Sequence, residues 1–246
     1  MCVIPARLES TRLSRKLLKT IDGKPLIQWV YQNAKQAKQV SRVMIACDHE
    51  LIKECVESFG GEAVLTASHH KSGTERIAEV ASRLANDFIV NVQGDEPLMH
   101  PDVIDLVAAA LKKDPACVMT TACVRQKDVT AFRSPNVVKL TKDKNGWALY
   151  FSRAPIPHDR DGAHGEFFKH LGIYGYRREF LLQFPSFPPS ELEEREKFEQ
   201  LCALECGYRI KAVETIHDSI GVDTEEDFEL LRKQLMSRER NGVSHA

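Results

Sequence analysis

Short apolar runs alternate with amphipathic stretches over the first half of the chain, and this alternation restricts the fold more than any other feature of the sequence. Cys2–Ile4, Val43–Ala46, Ala63–Leu65, Phe88–Val92 and Val118–Val124 are too short for buried helices and read as strands. Between them Ile27, Val30, Tyr31 and Ala34 recur at helical spacing. Leu51, Ile52, Cys55, Val56 and Phe59 make a second amphipathic helix, and further helices are expected over Ile77–Leu84 and Pro101–Leu111. Strand–helix alternation of this kind builds a doubly wound α/β layer structure with ligands at the strand tips. Pro5 is expected to break the first strand.

The fourth strand runs into Asn91-Val92-Gln93-Gly94-Asp95-Glu96-Pro97. A carboxylate at that corner, beside a glycine that lets a phosphate come close, is placed to hold Mg²⁺ on a nucleotide. On local evidence alone a polar turn fits equally. Directly after the first strand come five cations, Arg7, Arg12, Arg15, Lys16 and Lys19, with Glu9 the only acid among them. A solvated charged loop is one reading; a triphosphate cradle is the other, since Arg forks phosphate oxygens and Lys is a point charge. The G-x-x-x-x-G-K-[ST] and G-x-G-x-x-G patterns are both absent, which disfavours a P-loop mechanism and a dinucleotide dehydrogenase. Ser72-Gly73-Thr74-Glu75-Arg76 opens a helix whose amides could meet a ribose, base or phosphate, or could simply be capped.

After Lys127 the character changes. Val137–Leu140 and Trp147–Phe151 flank an Asn145-Gly146 turn and read as a hairpin. His170-Leu171-Gly172-Ile173-Tyr174-Gly175-Tyr176 alternates as a strand, with His170, Gly172, Tyr174 and Tyr176 on one face. Ser190-Glu191-Leu192-Glu193 is a capping box for one helix running to Gly207, with Glu199 and Gln200 at the margin of its buried stripe. Gly221-Val222-Asp223-Thr224 is expected to close a strand and start a helix capped by Thr224 and ending near Met236. Asp223 could complete a metal site with Asp95. The expected organisation is one domain over residues 1–246 with a small inserted lobe at roughly 125–185, and a frayed polar tail from Ser237.

The net charge of −1 advertises neither nucleic acid nor membrane as a partner. No apolar run approaches the ~20 residues of a membrane span, and Pro5 and Arg7 interrupt any signal peptide at once. Seven cysteines without a C-x-x-C pair read as reduced thiols of a cytoplasmic protein. The first strand is short at its start, so the natural N-terminus is expected to lie upstream.

Taken together, these stretches resemble the 3-deoxy-manno-octulosonate (Kdo) cytidylyltransferases, or CMP-Kdo synthetases. The resemblance is carried by Pro5-Ala6-Arg7 with Ser10-Thr11-Arg12-Leu13, by Ser72–Arg76, Asn91–Pro97, Ala148–Arg153, His170–Tyr176 and Gly221–Thr224, in that order along nearly the whole chain. It implies a Rossmann-like nucleotidyltransferase fold with a mixed, mostly parallel sheet and helices on both faces. It also implies transfer of CMP from CTP to Kdo with Mg²⁺, for lipopolysaccharide biosynthesis, by a homodimer. By the same resemblance Arg7, Ser10, Arg12 and Lys16 meet the triphosphate, and Ser72, Gly73 and Arg76 the cytidine side. Asp95 and Asp223 hold metal, with Arg7, Lys16, Asp95 and Asp223 the catalytic set. Gln93, Arg153, His170, Tyr174, Glu199 and Gln200 hold the sugar. The alternatives are another acid sugar, 8-amino-Kdo or sialic acid, or a non-catalytic nucleotide-binding relative. One departure stands out: the family usually has Leu-Pro-Gly-Lys where this chain has Leu13-Ser14-Arg15-Lys16, which alters the loop's backbone freedom.

Overall fold

The computed structural model describes residues 1–10, 13–162 and 165–240. In chain order its elements are β1 (Cys2–Ala6), β2 (Thr20–Ile21), β3 (Lys24–Pro25), α1 (Leu26–Lys35), β4 (Val43–Cys47), α2 (Glu50–Ser58), β5 (Ala63–Leu65), α3 (Gly73–Ser82), β6 (Phe88–Val92) and α4 (Pro101–Lys113). They continue with β7 (Met119–Gln126), α5 (Val129–Arg133), β8 (Lys139–Lys142), β9 (Ala148–Ser152), β10 (Phe167–Arg177), α6 (Arg178–Gln183), α7 (Glu191–Glu196), α8 (Glu199–Glu205), β11 (Ile210–Thr215) and α9 (Glu225–Arg240).

The main sheet has the order β11-β7-β10-β6-β1-β4-β5, with β8 and β9 attached beside β10. β6, β1, β4 and β5 are mutually parallel, β11 is parallel to β7, and β10 alone runs antiparallel between β6 and β7. Both faces of the sheet are buried, as the alternation along β1 shows. Ile4 and Ala6 belong to one buried cluster with Ile27, Val30 and Val103, whereas Val3 belongs to another with Ile77, Ile89 and Phe180. Burial on both faces explains why these strands read as continuous apolar runs.

Within the 125–185 stretch, β10 supplies a central strand of the sheet, while β8 and β9 form the hairpin that the Asn-Gly turn foretold, with Gly146 at φ 79°. Because β10 is antiparallel, Ile173 lies opposite Val92, and the residues before it extend past the carboxyl end of β6. That direction brings His170 and Gly172 to the same rim as Asp95. Against β7, Leu171 faces Ala122 but Tyr174 already faces Thr121, so β10 carries two extra residues there. An even insertion preserves side-chain alternation. His170, Tyr174 and Tyr176 accordingly share a face, with ring centroids 5.5 Å and 6.2 Å apart in succession.

Four local expectations are corrected. The last helix, α9, runs past Met236 to Arg240, and residues 241–246 of the expected tail lie outside the described residues. β1 runs through Pro5 to Ala6: its pairing with β6 involves only Cys2 and Val3, so Pro5 lies beyond the doubly paired part of the strand. The helix from Glu191 does not continue to Gly207 but breaks at Lys197, whose φ of 60° is left-handed. The break is held by Glu196, whose carboxylate accepts from Ser152 Oγ at 2.5 Å and Arg153 N at 2.9 Å. Finally, residues 216–224 form a loop rather than a strand. Val222 N donates to Asp95 O at 2.9 Å instead of entering the sheet.

Candidate active site

Gly94 lets the loop after β6 fold tightly against β1. A Cβ on it would stand 2.8 Å from the Pro5 carbonyl oxygen and 3.4 Å from Leu17, so only glycine fits without moving backbone. Asp95 follows. Asp223 is delivered by the start of α9, where Thr224 Oγ1 accepts from Asp227 N at 3.2 Å and Asp227 Oδ2 accepts from Thr224 N and Asp223 N at 2.9 and 3.0 Å. This reciprocal cap fixes the backbone on which Asp223 sits.

Lys16 joins the two carboxylates. Its Nζ donates to Asp95 Oδ2 at 2.7 Å, to Asp223 Oδ1 at 3.0 Å and to Val222 O at 2.8 Å. An ammonium has three hydrogens, and all three are directed at these acceptors. Burial works against the Lys16 charge, but Asp95 and then Asp223 outweigh it and raise its pKa. Arg15, just before it, holds φ 48° and ψ 35° and is exposed. The backbone thus keeps a glycine-type conformation although the glycine is gone.

On the other side of β1, α3 begins. Ser72 Oγ accepts from Glu75 N at 3.1 Å. A Cβ on Gly73 would lie 3.3 Å from Pro5 and 3.7 Å from Gln93 Oε1, so the helix N-terminus abuts the end of β1. Arg76 on this helix is fully buried. Its Nη1 donates to Thr66 Oγ1 at 2.5 Å and to Ala67 O at 3.3 Å, and Nη2 stands 3.5 Å from Asp48 Oδ2. Its Nε and Nη2 have no hydrogen-bond partner. Burial lowers the Arg76 pKa, Asp48 opposes this, and nearby Arg7 adds to it. Arg7 is exposed and donates to Lys71 O at 2.7 Å. Ser10 is half-buried in the same loop, and Arg12 lies outside the described residues.

The strip from β10 to α8 forms a second cluster. Tyr174 Oη donates to Gln200 Oε1 at 3.0 Å. Gln200 Nε2 and Glu199 Oε2 are buried with no hydrogen-bond partner. Native structures rarely leave such groups unpaired, and each one calls for a ligand or water. Gln93, whose Nε2 donates to Asn91 Oδ1 at 3.1 Å, stands between this cluster and α3. His170 Nε2 is 2.9 Å from Thr121 Oγ1, which itself donates to Ile173 O at 2.8 Å. Since a hydroxyl has one hydrogen, His170 Nε2 is the donor and Nδ1 carries the lone pair. Burial pushes the His170 pKa down to about 3, so the ring is neutral near pH 7. Arg153 is tied into the wall instead. It donates to Glu196 O at 3.2 Å and Pro135 O at 2.8 Å and lies over the Phe198 ring at 4.6 Å.

Two contributors escaped the sequence reading. Thr121 sets the tautomer of His170, and nothing in a strand threonine announces that. Glu96 is half-buried behind Asp95, and desolvation of its carboxyl pushes its pKa up to about 7, with Ser219 opposing and the charge on Asp95 adding. The signal available for it was the pair of glycines that make room: a Cβ on Gly172 would sit 2.8 Å from Glu96 Oε1, and one on Gly221 3.3 Å from it.

Residues 1–214 match the family model of the cytidylyltransferases. A 3-deoxy-manno-octulosonate cytidylyltransferase of Geotalea daltonii is 49% identical, across 96% of this chain and 98% of the relative. The enzyme of the same name from Geobacter sulfurreducens is 48% identical, across 95% and 98%. Among solved structures, a CMP:2-keto-3-deoxy-manno-octonic acid synthetase complexed with CTP superposes with a TM-score of 0.91 at 38% identity, covering 97% of this chain and 98% of that one. The same mixed, mostly parallel sheet with flanking helices is therefore that of a nucleotidyltransferase.

Proposed function

Because the chain belongs to the 3-deoxy-manno-octulosonate cytidylyltransferase family, we propose that it transfers CMP from CTP to 3-deoxy-D-manno-octulosonate. The products are CMP-Kdo, for lipopolysaccharide biosynthesis, and pyrophosphate. The observation that carries this reading is the placement of the unpartnered buried groups. Arg76 Nε on α3, and Glu199 Oε2 and Gln200 Nε2 on α8, lack partners in a chain that also joins two carboxylates through one lysine. A nucleotide and a polyhydroxylated acid supply the partners those atoms lack.

The chemistry follows from charge. An anionic sugar must bring a hydroxyl to the α-phosphorus of an anionic triphosphate, and charge then accumulates on the departing pyrophosphate. The resemblance supports Arg7, Arg12 and Lys16 as the cations that meet the triphosphate, with Ser10 beside them. Ser72, Gly73 and Arg76 serve the cytidine. Gln93, Tyr174, Glu199, Gln200 and His170 hold the sugar by hydrogen bonds; a neutral His170, its single N–H directed at Thr121, orients and takes up no second proton near pH 7. Arg153 buttresses the 196–198 break that positions Glu199 and Gln200.

Asp95 and Asp223 offer hard oxygen donors that already converge on one cation, a set that fits Mg²⁺. When bound, Mg²⁺ would screen the phosphates and lower the pKa of the attacking hydroxyl. The family resemblance supports a homodimer in the cytoplasm, with the part of the 125–185 stretch outside the central strand β10 as its substrate and pairing lobe. Among the described residues no helix is long and apolar enough to cross a membrane.

The deciding assay is pyrophosphate release from CTP and Mg²⁺ with Kdo, 8-amino-Kdo or sialic acid, beside Asp95→Ala. Release with Kdo that vanishes in the variant is the expected result. Release only with another sugar would move the substrate while keeping the reaction. No release with any sugar, although CTP binds, would overturn the catalytic reading.

A further inference from the structure

Away from the carboxylate pair, two imidazoles lie face to face. The rings of His100 and His217 are 3.6 Å apart between centroids and inclined by only 2°. Asp102 Oδ2 stands 3.6 Å from His100 Nδ1 and 3.6 Å from His217 Nε2. One ligand atom from each of the three residues lies within 4.8 Å of the others. Tetrahedral coordination with bonds of about 2.0–2.1 Å separates ligand atoms by about 3.3–3.4 Å. The two carboxylate-to-imidazole distances thus need a few tenths of an ångström of contraction, and at His100 Nδ1 the ion would take the place of the Asp102 N–H that this nitrogen accepts at 3.2 Å.

We propose that His100, Asp102 and His217 bind one divalent late transition-metal ion, Zn²⁺ by the nature of the donors, with water completing its shell. Two imidazole nitrogens and one carboxylate suit Zn²⁺, Co²⁺ or Ni²⁺, whereas Mg²⁺ takes oxygen. The imidazole lone pairs lie in the ring planes, so the stacked rings fan apart as they turn toward a shared ion. The side chains have room for this, being 42%, 63% and 32% exposed at His100, Asp102 and His217.

The location gives the ion a consequence. His100 lies on the segment that follows Asp95, at the start of α4, and His217 on the loop that ends in Asp223. One ion would tie together the two segments that carry the carboxylates around Lys16. The site shares no residue with that pair and draws on different ligand chemistry, so it is a second metal site whichever sugar the enzyme uses.

The test is titration of chelator-stripped, full-length protein with Co²⁺, followed by its visible spectrum, and with Zn²⁺ in competition with a chromophoric chelator. Four proteins are compared: wild type, His217→Ala, His100→Asn and Asp95→Asn. Asparagine at position 100 retains a capping oxygen for α4, where His100 Nδ1 accepts from Asp102 N at 3.2 Å. An unchanged melting temperature without metal confirms that each variant folds. The expected result, with excess Mg²⁺ present to occupy the Asp95–Asp223 pair, is one equivalent of Co²⁺ with nitrogen- and oxygen-type bands and no thiolate charge-transfer band. Loss of an outer-shell partner alone costs about 10–100-fold in affinity, so both histidine variants should bind at least about tenfold more weakly, and Asp95→Asn should bind as wild type does. Equal affinity in the histidine variants, loss of binding in Asp95→Asn, or a thiolate band would each overturn the proposal.

Discussion

Lys16→Met keeps an unbranched apolar stem and removes the ammonium that holds Asp95 and Asp223 together. Removing one partner of a buried ion pair costs about 3–5 kcal/mol. Here the carboxylate side chains are 31% and 43% exposed against 10% for Lys16, so water re-solvates them and the expected cost drops to about 2–3 kcal/mol. At about 2–4 °C per kcal/mol for a chain of this size, the melting temperature should fall by about 5–10 °C. Mg²⁺ then supplies a second reading. In the wild type it must compete with the ammonium, whereas in the variant the carboxylates have lost that cation. At tenfold excess over its Kd the ion returns about 1.4 kcal/mol, so Mg²⁺ should raise the melting temperature of Lys16→Met by about 3–6 °C and that of the wild type by less. Asp223→Asn placed on Lys16→Met should abolish the difference. Differential scanning fluorimetry with and without Mg²⁺ decides it. An unshifted melting temperature in Lys16→Met, or an equal response to Mg²⁺ in both proteins, would refute the picture of a lysine standing where the carboxylates take a metal.

Arg15→Gly should stabilise the protein by about 0.5–1 kcal/mol, because relief of about 1–2 kcal/mol of left-handed strain exceeds the added freedom of the unfolded chain; Arg15→Ala, which keeps the strain, should not, and urea denaturation of the two distinguishes them. Gly175→Ala should cost about 3 kcal/mol or more, since the new Cβ would meet Thr120 Oγ1 and stand 2.8 Å from Leu111 Cδ1 and 2.9 Å from Val107 Cγ1; a wild-type melting temperature would contradict the packing. Desolvation of the Glu96 carboxyl pushes its pKa from the ordinary 4.5 up to about 7, so its protonated form favours the fold, and this contribution is lost as pH rises from about 4.5 to about 7. Glu96→Gln carries no such loss, and its stability relative to wild type should therefore climb across that window and level off above it; parallel pH–stability curves would rule the effect out.

The elements whose signal is local were legible in the sequence. Ala63–Leu65 and Phe88–Val92 coincide with β5 and β6, because a short β-branched run bounded by turn residues has few other uses. The caps at Ser72 and Ser190, the Asn-Gly hairpin and the shared face of His170 and Tyr174 were legible for the same reason: each depends on residues a few positions apart. The order of the motifs along the chain also pointed to the cytidylyltransferase family. Tertiary structure alone decided the rest. That Lys16 turns its three hydrogens onto Asp95, Val222 and Asp223 depends on contacts spanning up to 207 residues of sequence, which no local pattern encodes. The break at Lys197 was hidden because helix periodicity continues across it, while Ser152 and Arg153, 43 to 44 residues away, bind Glu196 and end the helix. Glu96 read as a turn residue beside Asp95, and only the closure of Gly172, Ser219 and Gly221 around it desolvates its carboxyl. Patterning fixes which face of an element is apolar; which polar groups are left facing one another depends on how the faces close.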